Sequence, residues 1–170
     1  MTSSEFASSI LETISYSLKP AGFRRSGTTF SVERNDVVWI VQVQKSQKTT
    51  SELLVVTVNL GVFSRVLAAR LGQHYKKPSI WECHWQQRLG FLTPAREDQW
   101  WKIRTIEEAQ SIGNELSGYI TTYGLPILET LSSTAELRRL WETGRSPGLT
   151  EAQRQRYLKA VNEPVGLRGH

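Results

Sequence analysis

The middle of the chain contains three consecutive segments in which apolar and polar residues alternate, at residues 28–34, 37–45 and 52–61. Because successive side chains of a β-strand point to opposite faces, this period of two predicts three strands that each bury one face. A tight turn is predicted at residues 35–36, since Asn and Asp tolerate positive φ. The three apolar faces can therefore lie on one side of a single antiparallel sheet, and this restricts the fold more than any other feature.

The pairing of these strands is predicted from the same alternation. A register in which Lys45 faces Glu52 forms an opposite-charge cross-strand pair, and it places Trp39 opposite Val58. A slip of one residue would move the apolar side chains to the solvent face, so we expect the register to be fixed. The predicted pairs are Val32–Trp39, Phe30–Val41, Lys45–Glu52, Val43–Leu54, Val41–Val56, Trp39–Val58 and Val37–Leu60.

Two further strands are predicted after this group. Residues 81–89 alternate again and predict a fourth strand, and residues 100–103 predict a short fifth strand. The fourth strand would carry Trp81, Cys83, Trp85 and Leu89 on one face, and Glu82, His84, Gln86 and Arg88 on the other.

Helices are predicted on both sides of the strand region. The first has capping-box spacing at its start and an apolar residue at every fourth position from Phe6 to Leu18. After residue 105 the chain is predicted to be helical, with a break or kink at Gly124 and Pro126. This order of elements predicts an α+β fold, an antiparallel sheet of four to five strands packed on N- and C-terminal helices. In the absence of a repeat or linker, residues 1–170 are predicted to form a single domain.

The net charge of +5 is unevenly distributed. Residues 1–90 carry all of it, because residues 91–170 hold as many acidic as basic residues. Such asymmetry favours an acidic partner for the N-terminal half, although a surplus of this size also suits an ordinary solvated surface. The candidate phosphate contacts are Arg24, Arg25, Lys76 and Lys77.

Features of export or membrane insertion are missing from the sequence. The N-terminus lacks the basic region and unbroken apolar run of a signal peptide. The longest apolar stretches are too short to span a bilayer, and the single cysteine, Cys83, cannot form an intramolecular disulfide. We therefore expect a cytoplasmic protein without a membrane partner.

Reactive groups are few. The sequence has no phosphate-binding loop, dinucleotide glycine pattern, nucleophile elbow or paired metal-ligand motif. On a strand, Cys83 and His84 would point to opposite faces, so the thiol would have no base within hydrogen-bond reach. A zinc site made of His74, Cys83 and His84 would lack a fourth ligand. We therefore predict no catalytic residue, no metal site and no cofactor.

Several short blocks of the chain resemble a known family. They are Gly22-Phe23-Arg24-Arg25, Thr29-Phe30, Gln44-Lys45-Ser46, Val58-Asn59-Leu60-Gly61, Cys83-His84-Trp85, Arg88-Leu89-Gly90 and Trp100-Trp101. In this order they are similar to the pattern of the bacterial domain-of-unknown-function family numbered 4304, over roughly residues 10–120. The resemblance implies a bacterial, cytoplasmic setting, and it supplies no activity, cofactor or catalytic residue.

The second face of the predicted sheet mixes apolar residues with amides and charges, a composition typical of a binding groove. The predicted register places Gln44 and Asn59 at opposite ends of their hairpin, so they would not bind the same small group. The alternative is an ordinary sheet face partly covered by the C-terminal helices. The candidate binding residues are Gln42, Gln44, Lys45, Ser46, Thr57, Asn59, His84 and Arg88.

These patterns predict a non-enzymatic binding module that recognises a protein partner, as small accessory, defence or toxin-neutralising proteins do. The first alternative is an electrostatic nucleic-acid binder that uses the basic N-terminal half. A second alternative is a hydrolase-type enzyme built around Glu82, His84 and Arg88.

Overall fold

An antiparallel sheet of six strands forms the centre of the protein in a computed structural model, which describes residues 1–163. Its strands are β1 (Arg24–Ser26), β2 (Thr29–Arg34), β3 (Val37–Lys45), β4 (Leu54–Ser64), β5 (Trp85–Arg88) and β6 (Trp101–Ile103). They lie in the order β1-β2-β3-β4-β5, and β6 pairs with the first half of β4 while β5 pairs with its second half. The predicted α+β fold is confirmed, and β1 is an additional strand that the sequence pattern did not predict.

Helices precede and follow this sheet. They are α1 (Ser3–Leu18), α2 (Arg65–Arg70), α3 (Ile106–Tyr119), α4 (Leu125–Glu129), α5 (Thr134–Glu142) and α6 (Glu151–Asn162). The capping box predicted at the start of α1 is present, because Thr2 and Glu5 each bond the main-chain N–H of the other. Between α3 and α4, the π-helical turn Ile120–Gly124 takes the place of the predicted break. Gly124 is required there, since a Cβ would lie 2.8 Å from Cδ2 of Leu60.

The first face of the sheet is largely apolar and forms the main core. It is completed by buried side chains of α1, α3, α5 and α6, among them Ile10 and Trp141. Trp39 lies in this core, as predicted, and its indole Nε1 donates to the main-chain carbonyl of Leu131. The first-face residues of the three long strands are Phe30, Val32, Val37, Trp39, Val41, Val43, Leu54, Val56, Val58, Leu60 and Val62.

The predicted register is right on one side of β3 and wrong on the other. Val32 lies opposite Trp39, as predicted, after a turn in which Asn35 has a φ of 50°. On the other side, however, Trp39 lies opposite Val62 rather than Val58. The error is four residues along β4. Because four is an even number, every side chain keeps the face that the alternation assigned to it.

The cause of this error lies in the loop at residues 46–53. Lys45 lies opposite Val56, and Glu52 is in the loop instead of on a strand. Thr49 Oγ1 accepts from the N–H of Val55 at 3.0 Å and donates to its carbonyl at 3.2 Å, and Thr50 Oγ1 accepts from the N–H of Leu53. These local hydrogen bonds outweigh a solvent-exposed Lys–Glu pair, which contributes little to stability.

The strand predicted at residues 81–89 is also shorter than expected. Ile80–Glu82 form a 3-10 turn, and the strand begins only at Trp85. Ser79 and Glu82 form a capping box that starts this turn, with the Ser79 N–H donating to Oε1 of Glu82 at 2.9 Å. The turn breaks the alternation. Trp81 is therefore exposed, and Cys83 packs against the second face of the sheet rather than beside Trp85 in the main core.

No helix within residues 1–163 combines the length and the apolar character needed to cross a bilayer.

Candidate functional site

The second face of the sheet is divided into a closed apolar half and a polar half. The apolar half is covered by α2 and the turn at Ile80, and it consists of Val38, Ile40, Phe63, Ala68, Ile80 and Cys83. Gly61 makes this cover possible, because a Cβ there would lie 2.6 Å from both Cys83 Sγ and Ile80 Cδ1. The alternative to a binding groove was partial cover of this face by the C-terminal helices, whereas the closed half is covered by residues 65–83.

The polar half begins with three amide side chains that bond to one another. Asn59 lies directly opposite Gln42, and its Nδ2 donates to Gln42 Oε1 at 2.9 Å and to Gln44 Oε1 at 2.8 Å. The prediction that Gln44 and Asn59 lie at opposite ends of the hairpin is wrong, because the four-residue change of register brings them together. Asn59 is only 6% exposed. Within residues 1–163 its Oδ1 accepts no hydrogen bond.

Arg88 lies beside these amides on β5, directly opposite Asn59. Its Nη1 donates to Oδ1 of Asp98 at 2.8 Å and to Oδ2 at 2.6 Å, and its guanidinium lies 4.9 Å from the centre of the Trp100 ring. The positive charge of Arg88 is therefore balanced locally. Its Nε and Nη2 groups donate to no other residue in the described part of the chain.

A cavity of about 260 Å³ opens next to Arg88. Trp81 and Phe91, which flank β5 in sequence, lie on its walls and are 61% and 44% exposed. We call this space the Trp81 cavity. Its lining includes Asn59, Trp81, Gln86, Arg88, Phe91 and Asp98. It combines two exposed aromatic rings with an amide acceptor and a charge-balanced guanidinium, so it can bind an apolar group and orient a polar one.

Several residues at the Trp81 cavity were not among the predicted site residues, and they include Trp81, Gln86, Phe91 and Asp98. For Trp81 a sequence signal existed. The Ser79-x-x-Glu82 spacing is that of a capping box, which predicts a helical turn rather than a strand. Asp98 lies ten residues from Arg88 in a loop, and no local pattern indicates their contact.

Other predicted binding residues lie away from the cavity. Thr57 is fully buried and its Oγ1 donates to the main-chain carbonyl of Gln99 at 2.8 Å. Lys45 ends β3, and Ser46 follows it and accepts a hydrogen bond from the N–H of Lys48. The structure thus brings together Gln42, Gln44, Asn59 and Arg88. Thr57 lies opposite Gln44 but is fully buried, and Lys45 and Ser46 lie at the end of β3.

His84 is fully buried and has structural contacts only. Its Nδ1 accepts from the N–H of Ser64 at 2.9 Å, and its Nε2 lies 3.1 Å from Oε1 of Gln73. The ring stacks on Phe63, with the ring centres 4.9 Å apart. Burial lowers the pKa of His84 to about 4, so the ring is neutral at pH 7 and its proton resides on Nε2, facing Gln73.

The groups that could have formed a catalytic cluster have separate partners. Glu82 Oε1 accepts from Ser79, His84 contacts Ser64 and Gln73, and Arg88 binds Asp98.

Burial raises the pKa of the Cys83 thiol far above its usual range, and the nearby Glu82 carboxylate adds to the effect. Among residues 1–163 no group of three His, Cys, Asp or Glu side chains is arranged to hold a metal ion.

The predicted phosphate contacts lie in two segments, β1 and the loop after α2, and Arg65 links this loop to one corner of the sheet. Arg65 Nη2 binds Oε1 of Glu33 on β2 at 2.6 Å, and its Nη1 donates to the main-chain carbonyl of Tyr75 at 2.7 Å. This ties the loop that carries Lys76 and Lys77 to the corner where Arg24 lies opposite Ser31.

A groove of about 370 Å³ lies at this corner, and we call it the basic groove. Its lining includes Phe63, Arg65, Gln73, His74, Tyr75 and Lys76. Within residues 1–163, the side chains of Arg24, Lys76 and Lys77 take part in no ion pair or hydrogen bond. Arg25 donates to the carbonyl of Gly27 at 2.8 Å.

Comparison with known proteins gives one match. The family model described as "Domain of unknown function (DUF4304)" matches residues 14–130. No curated protein and no solved structure matches the chain.

Proposed function

Because the chain belongs to the DUF4304 family, whose description names no activity, we propose from its own residues that it is a binding module that recognises a protein partner through the Trp81 cavity. The observation that carries this proposal is the exposure of Trp81 and Phe91 on the walls of one cavity beside Arg88. Two exposed aromatic rings on the walls of one cavity form an apolar patch that a partner can bury, unlike a single exposed ring such as that of Tyr16.

The composition of the cavity supports a protein partner. The residues that dominate binding energy in protein–protein interfaces are enriched in Trp, Tyr and Arg, and they occupy pockets from which water is excluded. Trp81 and Arg88 are residues of this kind, and the surrounding polar side chains Gln86 and Asp98 resemble the polar rim of such a site. An enzymatic function is not favoured at this cavity, because the thiol of Cys83 and the imidazole of His84 are buried.

The proposal is tested by affinity capture from lysates of the native host, followed by mass spectrometry. The wild type is compared with Trp81→Ala and with Tyr16→Ala, a control in which a more exposed aromatic residue is removed from α1. We expect the same proteins to bind the wild type and Tyr16→Ala, with and without nuclease, and to be lost with Trp81→Ala. Retention of all partners by Trp81→Ala would exclude the Trp81 cavity as the binding surface.

A second candidate function is electrostatic binding of nucleic acid at the basic groove. The specific observation that favours it is the presence of unpaired Lys76 on the wall of this groove beside the half-exposed ring of Tyr75, with unpaired Lys77 next in sequence. Such binding weakens steeply with salt, because each phosphate contact contributes roughly −0.9 to the slope of log K against log salt on duplex DNA.

This second candidate has its own test. Replacing Arg24, Arg25, Lys76 and Lys77 with Ala should weaken binding to a DNA oligonucleotide and flatten the salt slope together. We expect the wild type to bind no more tightly than about micromolar at physiological salt, the range of non-specific electrostatic binding. A nanomolar complex that resists salt would instead make nucleic acid the preferred partner.

A further inference from the structure

We infer that the occupant of the Trp81 cavity is an uncharged peptide segment of the partner, with one apolar side chain between Trp81 and Phe91 and one main-chain N–H donated to Asn59. This inference rests on the proposed function and adds the chemistry of the recognised segment. It follows from three properties of the cavity: an unused acceptor, a balanced charge and a small apolar volume.

The unused acceptor is Oδ1 of Asn59. The two hydrogens on Nδ2 are committed to Gln42 and Gln44, which fixes the plane of the amide. Asn59 is nearly fully buried and lines the cavity, while its Oδ1 accepts nothing from residues 1–163. This oxygen is reached by solvent in the cavity, so an occupant that supplies an N–H donor replaces a water molecule there.

The donor that complements Asn59 belongs to Arg88. Its Nε and Nη2 groups are free of protein acceptors within the described residues, and it lies directly opposite Asn59. The cavity therefore offers one acceptor and one donor side by side. A peptide group carries the complementary pair, one N–H and one C=O.

The charge balance argues against an anionic occupant. Arg88 is already paired with Asp98, and the Asp98 carboxylate itself lies on the cavity wall. A phosphate or carboxylate placed there would lose its hydration and meet a like charge. None of the unpaired cations Arg24, Lys76 and Lys77 lines the Trp81 cavity, and Lys76 lines the basic groove instead.

The volume sets the size of the occupant. At about 260 Å³ the cavity is below the range of roughly 300–1,000 Å³ that is typical of small-molecule and cofactor sites. It is large enough for one apolar side chain and its peptide group. The rings of Trp81 and Phe91 provide apolar contact for that side chain, as aromatic residues do at interface hot spots.

The first step of the test is selection from a displayed library of random peptides on the full chain. We expect the selected peptides to share an apolar residue without neighbouring acidic residues, to bind Tyr16→Ala as well as the wild type, and to bind Trp81→Ala at least about 10-fold more weakly. If no peptide depends on Trp81, the proposed function fails together with the inference. If the dependent peptides are acidic, or if a single-stranded oligonucleotide displaces them, the inference alone is wrong.

The second step locates the hydrogen bond to Asn59. Each main-chain N–H of the best peptide is replaced in turn by an ester oxygen, which removes one donor. We expect one such replacement to weaken binding to the wild type about 2- to 10-fold. The same replacement should have almost no effect on binding to Asn59→Ala, and it should keep its full effect on binding to Tyr16→Ala.

Folding of each variant is checked by its NMR spectrum before binding is measured. If Asn59→Ala fails to fold, the ester replacements measured on the wild type still show whether a main-chain N–H of the peptide contributes to binding. Binding that is unchanged by every ester replacement would overturn the inference while leaving Trp81-dependent partner binding intact.

Discussion

The indole Nε1 of Trp39 donates a hydrogen bond to the main-chain carbonyl of Leu131 across 3.1 Å. Trp39 lies in the middle of the sheet, and Leu131 lies between α4 and α5. This bond therefore joins the central strand to the C-terminal helices within the core, where both residues are almost fully buried.

Replacement of Trp39 with Ala should destabilise the protein by about 3–5 kcal/mol, the range for emptying a large aromatic site in a packed core. Loss of the bond to Leu131 adds to this, because a buried carbonyl is left without its partner. The free energy of unfolding is measured by urea denaturation. Trp81→Ala is the matched control, since it removes an exposed indole and should change stability by less than about 0.5 kcal/mol. Equal effects of the two substitutions would contradict the core described here.

A Cβ at Gly61 should disturb the cover over the second face. Because that atom would lie 2.6 Å from Cys83 Sγ and Ile80 Cδ1, Gly61→Ala should destabilise the protein by about 1–3 kcal/mol, as overpacking of a core does. Gly118→Ala is the control. Gly118 lies in α3 with open space around it, so the change should stabilise the helix by roughly 0.5–1 kcal/mol. Thermal and urea unfolding of both variants measure the difference, and a neutral Gly61→Ala would contradict the close approach of the turn to β4.

The burial of His84 should make stability depend on pH. Its pKa is lowered from 6.5 to about 4 in the folded protein, so the unfolded chain binds a proton at a higher pH than the folded one. The contribution of His84 is fully present above about pH 6.5 and is lost as the pH falls toward 4, by up to about 3 kcal/mol.

His84→Gln isolates this contribution from that of the carboxylates. The glutamine side chain is neutral at every pH in this range, so the stability of the variant should fall less steeply between pH 6.5 and 4 than that of the wild type. His74→Gln removes an exposed histidine instead and should keep the wild-type dependence. Urea denaturation at several pH values gives the slopes, and identical slopes for all three proteins would show that His84 is accessible to protons in the folded state.

The alternation of side chains was enough to predict which residues of β2, β3 and β4 face the core. It did not determine how β3 and β4 are aligned, because a shift of four residues leaves every face unchanged. The alignment depends on Thr49 and Thr50, whose side chains bond the main chain within the loop. A charge pair between Lys45 and Glu52 is a weaker determinant than these bonds.

The candidate site was only partly predictable for the same reason. Gln42, Gln44 and Asn59 were expected on the second face, but their mutual contact depends on the alignment of β3 with β4. His84 lies against Phe63 on this face, as the alternation predicted, but it is fully buried, because this half of the face is closed. The partners of a loop residue such as Asp98 depend on tertiary packing, which no local pattern encodes.

Cys83 should be almost unreactive in the folded protein. Its side chain is buried against the second face, its Sγ lies 3.6 Å from the carbonyl of Ser79, and burial raises the pKa of the thiol. Because the thiolate is the reactive form, a disulfide reagent should modify Cys83 slowly in native buffer and rapidly in urea. Cys83→Ala should then reduce stability by only about 1 kcal/mol, since a small apolar group is lost. Fast modification of the native protein would show that the turn at Ile80–Glu82 opens readily, and it would contradict the closed apolar half of the second face.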